Sequence, residues 1–110
     1  MLMRTYNQAR GVEIALEALI GEGELKVYSY PYRNGREKGF CFVNHKSKRS
    51  VFVAEARSSD NIILVCSDRG INEWCEIEEH EYNNRSTVDF GNFMEAAEKI
   101  IEYIADGAEI

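Results

Sequence analysis

The sequence predicts an α+β fold: an antiparallel meander sheet of four or five strands, with N-terminal and C-terminal amphipathic helices packed on one face. Three observations predict it. Apolar residues recur at helical spacing near both ends of the 110-residue chain. Between those ends the spacing changes to alternation, and the turns joining the alternating runs are short enough only for neighbouring antiparallel strands. Two amphipathic helices on a sheet with one apolar face make a two-layer sandwich, leaving all or part of the other sheet face free. The length is that of one domain, residues 1–110, and 45% apolar residues suffice for a core without staples.

The first helix starts at a capping-box pattern, Thr5-Tyr6-Asn7-Gln8. Val12, Ala15, Leu16 and Leu19 continue it on one stripe, and Gly21 and Gly23 stop it. Alternation begins at Leu25-Lys26-Val27-Tyr28-Ser29-Tyr30. Asn34-Gly35 follows, the dipeptide that type I′ hairpins favour because both central residues take positive φ. Lys38 to Asn44 is the return strand, Ser50 to Ala56 the third and Ile62 to Ser67 the fourth. Residues 71–82 fit two descriptions: Trp74, Glu76 and Glu78 share a strand face, while Ile71, Trp74, Cys75 and Glu78 partly fit a helix. The expectation is a fifth, edge-like strand whose glutamates discourage pairing, with a loop at Asn83–Ser86. Phe90, Phe93, Met94, Ala97, Ile101 and Ile104 then lie on one helical stripe, opposite Glu95, Glu98, Lys99, Glu102 and Asp106. Asn92 with Glu95 caps this last helix and Gly107 ends it.

The formal charge of −6 conceals a division. Arg33, Arg36, Lys38, Lys46, Lys48, Arg49 and Arg57 stand against only Glu37 and Glu55, so residues 33–57 carry +5 and the remainder −11. Such a chain presents two faces of opposite sign. No apolar run approaches the ~18 residues of a membrane span, so no membrane association is expected. Met1 to Arg10 has no basic lead into an apolar stretch, so no secretory leader is expected and the location read from this is cytoplasmic. Cys41, Cys66 and Cys75 are odd in number and lack Cys-x-x-Cys spacing, which predicts reduced thiols. With His80 they also lack any finger or ribbon spacing for zinc, and no Gly-rich phosphate loop is present. His45 and His80 stand without a catalytic motif around them. Neither a cofactor nor a metal is expected, and the chain does not read as an enzyme.

Lys38-Gly39-Phe40-Cys41-Phe42-Val43, followed by Val51-Phe52-Val53, resembles the paired ribonucleoprotein motifs of cold-shock domains. Its first half also resembles that of RNA-recognition domains. The resemblance implies that Phe40, Phe42 and Phe52 stack bases and that Lys38 contacts phosphate. Cys41 stands where those motifs have Gly or Ala, and Ala54 where the cold-shock motif has His. Beside this segment, Tyr28, Tyr30 and Tyr32 alternate along the partner strand and Arg33 and Arg36 flank the turn. Aromatic rings to stack a base and arginines to hold phosphate point to a small non-catalytic protein that sequesters or senses a nucleotide-like or single-stranded nucleic-acid ligand. The same rings also fit a core beneath the helices, with the basic residues as a solvated hairpin.

A second function class comes from Glu73, Glu76, Glu78, Glu79 and Glu81. This run is either a solvated edge or a docking surface for a basic protein. The latter would make the chain an acidic inhibitor, immunity or adaptor protein, of the kind phages and mobile elements encode. An exposed aromatic hairpin on a small domain also predicts a homodimer.

Overall fold

Helix α1 (Leu2–Ile20) leads into four strands, β1 (Leu25–Pro31), β2 (Lys38–Asn44), β3 (Arg49–Glu55) and β4 (Asn61–Ser67). A 3-10 turn (Trp74–Glu76) and a short helix α2 (Glu79–Asn83) follow, then β5 (Ser86–Asp89) and helix α3 (Phe93–Asp106). The structure, a computed structural model, describes residues 2–21, 23–31, 38–55, 61–89 and 93–107; the side chains of 2–7, 29–31, 38 and 55 lie outside that description. The strands form one open antiparallel sheet in the order β1-β2-β3-β4-β5. Helix α1 lies over β1 and β2, and α3 packs beside it over β2 to β5. This is the expected α+β meander with both terminal helices on one face.

The register assigns each side chain to a face. Val27, Phe42, Val51 and Cys66 are mutual partners across the first four strands, as are Phe40, Val53 and Leu64 across β2 to β4. These residues face the helices, and Ala9, Val12 and Leu16 of α1 with Phe93, Ala96, Ile100 and Ile104 of α3 close the main core over them. One residue out of step, Tyr28, Cys41, Phe52 and Val65 are partners on the opposite face. There Cys41, Val43, Phe52 and Val65 form a second core with Ile71, flanked by half-buried Ile63, Trp74 and Ile77. The central strands are therefore buried on both sides.

The turn between β2 and β3 fastens the sheet to the end of α3. Asn44 Nδ2 donates to the Ile104 carbonyl at 3.1 Å, while its Oδ1 accepts from the amides of Lys46 and Ser47. The Arg49 guanidinium donates to the carbonyls of Tyr103 (2.7 Å), Ile104 (3.2 Å) and Ala105 (3.0 Å). Those are last-turn carbonyls, and a cation there also complements the helix dipole. Gly107 ends the helix at φ 75°, where a Cβ would stand 3.2 Å from Arg49 Nη1. Helix stop and clamp thus share one space.

Several expectations are corrected. Residues 71–82 are not a strand. Ile71, Trp74 and Ile77, three residues apart, all turn toward the second core, a spacing that an extended chain cannot satisfy. The fifth strand is Ser86–Asp89, begun where a loop was expected, and it pairs with β4 through Leu64–Ser86 and Ile62–Val88. The sheet face opposite the helices is covered over β2 to β4 and open along the edge strands, where Lys26 and Tyr28 of β1 and Thr87 of β5 are exposed. Thr5 lies inside α1, because the good helix formers Leu2-Met3-Arg4 extend the helix upstream. On α3 the buried residues are Phe93, Ala96, Ala97, Ile100 and Ile104, while Met94 is 73% exposed and Ile101 only half-buried. The small side chains of Ala96 and Ala97 let the backbone approach the sheet, which rotates the buried stripe from the expected one. Phe90 and Asn92 lie outside the described residues.

Phe42→Ala and Phe52→Ala, one in each core, should each lower folding free energy by about 3–5 kcal/mol. Urea unfolding checks this, and an effect below 1 kcal/mol at Phe52 would contradict a packed second core.

Candidate protein-docking site

Phe40, Phe42 and Phe52 do not form the stacking surface expected of them. Phe40 is 4% exposed and Phe42 1%, both beneath the helices. Phe52 is fully buried on the other face, because it pairs with Cys41 and not with a phenylalanine. The three rings therefore share no surface and none reaches solvent. Tyr28 is exposed, and its hydroxyl lies 3.3 Å from His45 Nε2 with the two rings edge-on. Tyr30 is opposite Gly39 and Lys38 opposite Pro31 in the register, with their side chains outside the described residues. Tyr32, Arg33 and Arg36 lie outside the described residues altogether.

The acidic run does form a surface. Residues 68–82 contain Asp68, Glu73, Glu76, Glu78, Glu79 and Glu81 against the single cation Arg69, a sum of −5. This segment is the cover of the second core. Trp74 packs edge-on against Phe52 (centroids 5.7 Å) beneath it and against Tyr82 (6.2 Å) beside it, and the Arg85 guanidinium lies 4.5 Å over the Tyr82 ring. With Ile71, Trp74 and Ile77 committed inward, Glu73, Glu76, Glu78 and Glu79 are left outward, all exposed.

Glu81 departs from the other four. It is buried, and Arg69 donates to its Oε1 through both Nε (3.1 Å) and Nη2 (2.6 Å). Nη2 also donates to the Glu76 carbonyl, and the Glu78 amide donates to the same Glu81 oxygen at 3.1 Å. Glu81 is thus a lock within the fold and is removed from the expected partner-binding set. Burial pushes its carboxyl up, but the hydrogen bonds from Arg69, Ser67 and the Glu78 amide outweigh that and hold it below the usual carboxylate range. Arg69 was not singled out by sequence reasoning. The signal available was its position as the lone cation ahead of five glutamates.

All three thiols are shifted toward the protonated form. Burial pushes Cys41 far up, with a further contribution from Glu76, and pushes Cys66 up to about 12. Cys75 is exposed, but its thiol donates to Glu73 at 3.5 Å, and that bond, partial desolvation and the nearby carboxylates raise its pKa too. All three are free cysteines. Among the described residues no group of three or more His, Cys, Asp or Glu is arranged to hold a metal ion, and no helix is long and apolar enough to cross a membrane.

A carboxyl held below its unfolded value takes up its proton only at lower pH in the folded chain. The stability Glu81 contributes is therefore complete above about pH 5 and is lost as pH falls through the acid range below about 4. Trp74, the only tryptophan, sits in the cover and reports its detachment. Glu81→Gln should lower the melting temperature at pH 7 and flatten the acid limb of the Trp74 fluorescence titration; an unchanged acid limb would exclude Glu81 as the lock. Compared with family models, curated proteins and solved structures, the chain matches none, and its function has to be read from its own residues.

Proposed function

We propose that this is a protein-binding protein whose acidic segment docks on a basic site of its target, as an inhibitor or adaptor. The observation that carries the reading is that Glu73, Glu76, Glu78 and Glu79 project from a segment pinned to the fold. Trp74 anchors its middle, and the Arg69–Glu81 pair ties its two ends together. Charges on a fixed frame lose little freedom on binding, so more of their attraction reaches the complex. Carboxylates of one sign on one surface also steer a basic partner during encounter and raise the association rate at low salt. Burial of Phe40, Phe42 and Phe52 favours this reading over nucleotide stacking, because these three of the six rings expected to hold a base are committed to the two cores.

The experiment captures partners from an extract of the source organism at low salt, identifies them by mass spectrometry, and measures association with the purified pair. The triple variant Glu76→Lys/Glu78→Lys/Glu79→Lys should slow association by at least about tenfold while changing dissociation less, and raised salt should slow the parent in the same way. An unchanged association rate would reject the acidic face as the docking surface. A thermal shift of several degrees with a nucleotide panel would restore the ligand-binding alternative.

A further inference from the structure

We infer that residues 71–82 are a latched lid: they leave the sheet together while the sheet and the two long helices stay folded, and the Arg69–Glu81 pair is the latch. The inference stands on the packing and not on the docking reading. The starting observation is that the two cores share no residue. Among the described residues, fifteen buried side chains make the core between helices and sheet, and five make the second core. Of those five, Ile71 alone belongs to the cover; Trp74 and Ile77 add half-buried contacts. A patch held by so few side chains separates at lower free energy than the layer that carries most of the burial.

The path of the chain permits such a movement. β4 and β5, the strands on either side of the cover, pair with each other through Leu64–Ser86 and Ile62–Val88, so residues 71–82 leave without breaking a rung of the sheet. Their own backbone bonds are local turns, with the amides of Ile77, Tyr82 and Asn84 donating to the carbonyls of Trp74, Glu78 and His80. Just ahead of them, Arg69 and Gly70 form a stem tied to the sheet. The Gly70 amide donates to the Lys48 carbonyl at 2.9 Å, and the Arg69 amide to Ser67 Oγ at 3.4 Å. Gly70 takes φ 75°, and a Cβ there would stand 3.2 Å from Lys48 Cδ. The chain turns away from the stem at that residue.

The latch joins these two parts. Arg69, on the stem, holds the Glu81 carboxylate and the Glu76 carbonyl, both on the lid. Ser67 of β4 adds a further hydrogen bond to Glu81. Residues 71–82 contain five glutamates and no Lys or Arg, so the cation that fastens them has to come from outside the lid. Closure also carries a cost. Ser50 Oγ, on the same sheet face as Phe52, and Asn72 Oδ1, on the lid, are buried without a hydrogen-bond partner among the described residues, and opening gives both to water. Closed, the molecule presents Glu73, Glu76, Glu78 and Glu79 on a fixed frame; open, it bares Cys41, Val43, Phe52 and Val65 in their place.

Thiol labelling and hydrogen exchange test this in a Cys75→Ser background, which removes the exposed thiol. Labelling by N-ethylmaleimide, read by peptide mass spectrometry, follows Cys41, which is fully buried in the second core. Cys41 should label in urea well below the unfolding midpoint, together with exchange of the Ile77, Tyr82 and Asn84 amides and ahead of the β3 amides. Ile100→Val trims the main core and should quicken β3 exchange severalfold while leaving Cys41 labelling unchanged, because the lid opens with that core intact. Glu81→Gln should quicken Cys41 labelling by at least about tenfold. Cys41 labelling that quickens in step with β3 exchange in Ile100→Val would show that the cover comes off only when the whole chain unfolds, and would overturn the proposal. An unchanged labelling rate in Glu81→Gln would overturn the Arg69–Glu81 pair as the latch. No partner enters the experiment, so its outcome is independent of the docking test.

Discussion

Everything else in this structure follows from burying the central strands β2, β3 and β4 on both faces. Phe40, Phe42, Val51, Val53 and Leu64 need the two helices; Cys41, Val43, Phe52 and Val65 need something on the other side. Leaving Val43, Phe52 and Val65 in water would forfeit roughly 1.5–3 kcal/mol for each. Together that approaches the whole net stability of a small domain, about 5–15 kcal/mol. The chain between β4 and β5 meets this requirement with Ile71, Trp74 and Ile77, and the side chains it leaves facing solvent include Asp68, Glu73, Glu76, Glu78 and Glu79. The candidate docking surface is thus the outside of a structural cover.

That coupling explains why a segment with little regular structure holds a fixed shape. Its helix has only five residues, far too few to be stable alone. Apolar anchors on one side and the Arg69–Glu81 pair on the other hold it instead. A partly exposed guanidinium is a weak stabiliser in isolation, but here it bridges a buried carboxylate and the Glu76 main-chain carbonyl. The same economy appears on the other face of the sheet, where Asn44 and Arg49 satisfy the last carbonyls of α3 and set the helix layer against the sheet.

The molecule is consequently polarised. The helix side exposes Ile14 and Leu19 of α1, and the cover side presents concentrated negative charge.

Local pattern by itself determined the α+β class, the places of β1 to β4 to within a residue at either end and the meander order. Helical and alternating periods are properties of neighbouring residues, and short turns permit few topologies. The runs Phe40-Cys41-Phe42-Val43 and Val51-Phe52-Val53-Ala54 also held a readable sign of two-sided burial, since a strand with one wet face alternates whereas these are apolar throughout. Tertiary structure alone decided which face each phenylalanine takes, because a shift of one residue in register exchanges the faces and the motif is the same in either. It alone turned residues 71–82 from a strand into a cover and Glu81 from a surface charge into a lock, since both outcomes depend on contacts with Phe52 and Arg69 that are distant in the chain or invisible to periodicity. The acidity of the segment was legible. Its rigidity was not, because rigidity comes from what the segment is packed against.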